Sequence, residues 1–182
     1  MTSAGASTVV AGFALAISGA CLAIFFATDR EAWGRANDAT IALFAVLMMP
    51  AAVEVQTPQA FATLAVAGML VIAVTSGLTA AGKLDWLLSA KIGGVGFAGY
   101  AMWLIAACVQ ALAAGGLPAA LGWFGLLTAG LAAISLGLAL RFIKVHGRLF
   151  GEDAHPPTEL WIAPTLTYLC LVAWTVWLGL VL

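Results

Sequence analysis

The side chains that could do chemistry in this chain are few, and they collect outside its apolar runs. The longest polar interval is Arg141–Leu160, RFIKVHGRLFGEDAHPPTEL, which holds both histidines, His146 and His155, and three of the seven basic residues, Arg141, Lys144 and Arg148. A second interval, Asp29–Asp38 (DREAWGRAND), and the short Lys83-Leu84-Asp85 supply most of the rest. Asp29, Arg30, Lys83, Asp85, Lys91, His146 and His155, with Glu31, Glu152 and Asp153 beside them, form a polar set on one face of the threading derived below. Cations can hold a phosphate, while carboxylates and imidazoles can move protons, so this set could act on a lipid headgroup. The plainer reading, a solvated face of mixed charge, outweighs that one.

Other chemistries lack their parts. There is no G-x-S-x-G, no H-E-x-x-H and no aspartate-rich cluster. Axial haem ligation wants histidines on facing helices at membrane depth, and both lie in a loop. Cys21, Cys108 and Cys170 fall inside separate apolar runs, without CxxC or Cys/His spacing. The glycines 93, 94, 96 and 99 follow no strand and precede no Lys-Ser/Thr pair, so they do not make a phosphate loop. No ionisable group sits at the centre of an apolar run, where an ion-coupled carrier would place one. Neither a cofactor nor a metal is expected.

The elements that must position the polar set are membrane spans. Apolar residues make up 64% of the chain and charged ones 8%, outside the range of soluble domains. The expected fold class is all-α: a polytopic transmembrane helix bundle of six spans and one domain. The spans are about 8–28, 39–55, 60–81, 87–113, 117–140 and 161–182, each near the ~20 residues a bilayer requires. Asp29–Asp38 is expected to be a loop, with Asn37 or Asp38 capping the second span. Pro50 should kink that span, Thr57-Pro58 should end it, and Gly115-Gly116 should turn the chain before Pro118 opens the fifth. Small-residue faces suited to close helix approach occur at Gly12, Ala16 and Ala20, at Ala90, Gly94 and Ala98, and at Ala129, Ala133 and Gly137.

Arg30, Arg35, Lys83, Lys91, Arg141, Lys144 and Arg148 all fall in or beside the first, third and fifth loops. By the positive-inside rule those loops are cytoplasmic and both termini are extracytoplasmic. Trp33, Trp86, Arg141, Lys144, Arg148 and Trp161 lie at span boundaries, as interfacial anchors do. A net charge of −1 offers no field for nucleic acid; the partners expected are the lipid bilayer and a membrane protein or second copy of the chain.

The segment Leu117–Leu126, LPAALGWFGL, with the six-span length and the Trp-containing last span, resembles small, uncharacterised bacterial six-span integral membrane proteins. The resemblance implies a bacterial inner-membrane location and brings no catalytic residues. The leading functional expectation is a non-enzymatic accessory or subunit-type helix bundle that acts by packing. The alternatives are a carrier or binder of a lipophilic small molecule, with Tyr100 and Trp103 lining a cavity near the second span, and a lipid-headgroup enzyme using Asp29, Asp85 and His146 or His155.

Overall fold

The computed structural model describes residues 1–146 and 159–182, with side chains for 1–142 and 162–182. The described residues are all helix and short connections. Six helices follow one another: α1 (Ser3–Thr28), α2 (Glu31–Glu54), α3 (Gln59–Ala80), α4 (Trp86–Ala114), α5 (Ala119–His146) and α6 (Glu159–Val181). All six are long and apolar enough to cross a membrane. Each packs against its neighbours in the chain, and α6 packs against α1, so the bundle closes into a ring.

The ring is solid. Phe44 of α2, Tyr100 and Trp103 of α4 and Trp174 of α6 form a buried aromatic file across its centre. Tyr100 stacks on Trp103 at 5.7 Å between ring centroids, and Trp103 meets Trp174 edge-on at 6.2 Å. Tyr100 and Trp103 are therefore packed core, not the walls of a cavity beside α2. The Trp174 indole donates to the Leu121 carbonyl at 3.2 Å. The Tyr100 and Thr175 hydroxyls and the Trp103 indole N–H are buried there without a hydrogen-bond partner. Outward, large apolar side chains such as Phe13, Val74, Val95, Trp123 and Leu169 stand exposed on successive helices. An apolar exterior around a close-packed interior fits a hydrocarbon solvent.

Close backbone approach holds the ring together, and it uses different residues from those the small-residue spacing suggests. In α4 the expected face Ala90, Gly94 and Ala98 is exposed, and a Cβ at Gly94 would meet nothing within 4 Å. The contact with α3 runs through Gly96, where a Cβ would lie 2.5 Å from the Gly68 carbonyl oxygen, and through Gly99 against Leu64. In α1, Gly12 does face a neighbour, but Ala16 and Ala20 are exposed. The seam with α6 is made by glycines seven apart: Gly5 against Gly179, Gly12 against Val176, and Gly19 against the Tyr168 ring. The Tyr168 hydroxyl donates to the Leu15 carbonyl across that seam. In α5, Ala133 and Gly137 are exposed, while Gly122 and Gly125 meet Cys108 of α4. Four-residue spacing of small residues does not say which side of a helix is inside when nearly every side chain is apolar.

A second correction concerns the first polar interval. Helix α2 begins at Glu31, so the expected loop Asp29–Asp38 shrinks to Asp29 and Arg30, and neither Asn37 nor Asp38 is a cap. Glu31 stands in the first turn, where a carboxylate suits the helix dipole, and pairs with Arg35 one turn on at 2.7 Å. Asn37 is used against α1, accepting from the Ser18 hydroxyl at 2.7 Å. The helix continues through Pro50 and ends before Thr57-Pro58 as expected. Gly115 and Gly116 turn the chain at φ 79° and 88°.

Candidate functional site

Three members of the polar set, Glu31, Lys83 and Asp85, line a groove at the end of the ring where α1, α3 and α5 finish. Two overlapping cavities, about 380 Å³ and about 450 Å³, share Phe25, Gly34, Asp38 and Trp86. One side is apolar, walled by Leu22, Phe25, Phe26 and Trp86. The other is charged, with Glu31, Arg35, Asp38, Lys83 and Asp85.

Local sequence explains how each piece is held. Helix α3 ends in a Schellman motif: the Gly82 amide donates to the Thr79 carbonyl at 2.9 Å and the Lys83 amide to Leu78 at 2.8 Å. The motif needs a left-handed residue, supplied by Gly82 at φ 68°. It sets the Lys83 backbone at the groove. Asp85 then caps α4, its Oδ1 accepting from the Leu87 and Leu88 amides at 2.9 and 3.1 Å. That cap starts the helix at Trp86, which stands exposed over the groove.

The opposite wall comes from α1 and α2. Asp29 closes α1 in a left-handed conformation, φ 53°, its amide returning to Phe25 at 2.7 Å; a short polar side chain tolerates that region. The two-residue link folds α2 directly back, which lets the Phe25 ring lie over Gly34, 3.4 Å from where a Cβ would be. Arg35 reaches toward the α3–α4 turn, its guanidinium 3.5 Å from a Cβ position at Gly82. Glu31 holds it through Nε and Nη2 at 3.1 and 2.7 Å. The pair is exposed, so it contributes a few tenths of a kcal/mol. A stronger anion can take Arg35 from Glu31 at little cost.

Of the residues singled out from sequence, the structure brings Lys83, Asp85 and Trp86 together. Asp29 and Arg30 form the adjacent α1–α2 link, and Lys91 is exposed farther along α4; none of the three lines the groove. Trp33 is exposed on the first turn of α2, and Arg141 is exposed near the end of α5. The side chains of Lys144, His146 and Trp161 lie outside those described, as do Arg148 and His155. Sequence reasoning missed Arg35, Asp38 and Phe25. The Glu31/Arg35 spacing, a helix-stabilising i,i+4 pair, was the available signal. Among the described residues, no three His, Cys, Asp or Glu side chains gather as metal ligands. The cysteines are free thiols on α1, α4 and α6.

No family model, no curated protein and no solved structure matches the chain.

Proposed function

We propose that this protein is a non-enzymatic membrane protein that binds an amphiphile with a charged headgroup, taken from the leaflet at the basic end of the ring. The observation that carries the reading is the junction of an apolar wall, Phe25, Phe26 and Trp86, with Arg35 and Lys83 in one groove. A lipid tail moving from bilayer to groove gains nothing from the hydrophobic effect, because both are hydrocarbon. Selection therefore rests on the headgroup. A phosphate held by Arg35 and Lys83 makes charge-assisted hydrogen bonds of about 1.5–3 kcal/mol each. Asp38 and Glu31 on the same wall suit the ammonium of a zwitterionic headgroup.

The proposed threading places the basic end in the cytoplasm and both termini outside, by the positive-inside rule. A bacterial inner membrane is the location the sequence resemblance implies. Asp85 is used as a helix cap, which leaves little support for an enzymatic role through it. A subunit role keeps one specific support, the exposed small face Ala90, Gly94 and Ala98 on α4, where another backbone could approach.

The test is crosslinking with a phospholipid bearing a photoactivatable group near the glycerol, followed by peptide mapping. Adducts should concentrate on the 22–26 segment and Trp86. Adducts spread evenly over the exposed faces of all helices would overturn the reading.

A further inference from the structure

In the middle of the ring the Tyr100 hydroxyl, the Trp103 indole N–H and the Thr175 hydroxyl have no hydrogen-bond partner among the described residues. Their residues are 3%, 0% and 0% exposed, so bulk solvent does not reach them. All three belong to the aromatic file. Tyr100 stacks on Trp103 and Trp103 meets Trp174 edge-on. Thr175, next along α6, lies beside the Tyr100 hydroxyl.

Thr175 departs from the other buried threonines. Thr8, Thr75, Thr79 and Thr128 each donate to the carbonyl four residues back, at 2.7–2.9 Å. That bond is open to a helical threonine and needs nothing from outside its own helix. The Thr175 hydroxyl does not take it and is left to the interior. Nor can the three groups satisfy one another. An indole only donates, and two hydroxyls cannot donate to each other at once. Whatever the pairing, one of three donors lacks an acceptor. The adjoining Trp174 indole offers none, being a donor already committed to the Leu121 carbonyl.

We propose that one internal water molecule binds here and ties α4 to α6 at the centre of the bundle. Its oxygen accepts from the Trp103 indole and the Tyr100 hydroxyl, and it donates to the Thr175 oxygen. Three bonds are the usual complement of a buried water. Close packing among the aromatic rings favours the smallest molecule that both donates and accepts. The site is independent of the amphiphile groove.

The experiment has two arms, both on the full chain in lipid bilayers. Tyr100→Phe and Thr175→Val keep the side-chain shape and remove the hydroxyl. Deleting a hydroxyl that has no partner raises thermal stability, whereas deleting one that holds a water lowers it. Each variant should melt about 2–4 °C lower, the size of one lost hydrogen bond. The double variant should lose less than the two shifts added, because the first change already loosens the water. In the second arm, solid-state NMR of chain with isotopically labelled tryptophan should show magnetisation passing from water to the Trp103 indole, assigned through Trp103→Phe. Thr175→Val should weaken that transfer. A higher melting temperature in either single variant, or additive losses in the double variant, would overturn the proposal. So would a Trp103 indole that receives nothing from water; coupled hydroxyls would then mean that Tyr100 and Thr175 bond directly.

Discussion

At the scale of single residues, the surroundings of a glycine decide its worth more than its spacing does. A methyl group at Gly96 would run into the Gly68 backbone, which cannot rotate out of the way, whereas one at Gly94 meets open space. Gly96→Ala should therefore cost about 1–3 kcal/mol, as overpacking does. Gly94→Ala should be neutral or gain up to about 1 kcal/mol from helix propensity. Thermal unfolding of the two variants in the same detergent separates them, and equal melting temperatures would refute the assigned α3–α4 contact. Which of the two glycines faced inward was not legible in sequence: with apolar neighbours on every side, periodicity has no polar face to point away from. Hydroxyls inside the long helices are settled locally. Thr75, Thr128 and Thr167 each satisfy their hydroxyl on the carbonyl four residues back, the expected outcome where no water competes.

At the scale of elements, six helices long and apolar enough to cross a membrane were legible because length and composition suffice to define them. Their polar ends were less so. Asp29–Asp38 has the composition of a loop, yet eight of its residues are the first turns of α2, held to α1 by Ser18 against Asn37, with the exposed Glu31–Arg35 pair adding little. Tertiary contact overrode local composition there, and it put Arg35 and Asp38 into the groove. The start of α4 is set more locally. Asp85→Ala removes its cap and should cost about 1 kcal/mol. Hydrogen exchange checks this: the Leu87 and Leu88 amides should exchange faster in the variant, with the α3–α4 contact at Gly68 and Gly96 unaffected. Unchanged exchange at those two amides would mean that the Asp85 carboxylate is free for another role.

At the scale of the whole molecule, the ring has two unlike ends joined by a packed aromatic centre. One end carries the groove with Arg35 and Lys83, the other a cavity of about 210 Å³ beside Glu54, and Phe44, Tyr100, Trp103 and Trp174 separate them. The segregation of basic residues made this polarity visible in sequence. The grooves were not visible, because they depend on which loops are short. The most direct test of amphiphile binding is native mass spectrometry of the gently extracted protein beside its Arg35→Ala/Lys83→Ala double variant. The account predicts that the wild-type chain retains an adduct of phospholipid mass through mild activation and that the double variant loses it. A wild-type chain that carries no such adduct, or a double variant that keeps it at equal occupancy, would contradict the account.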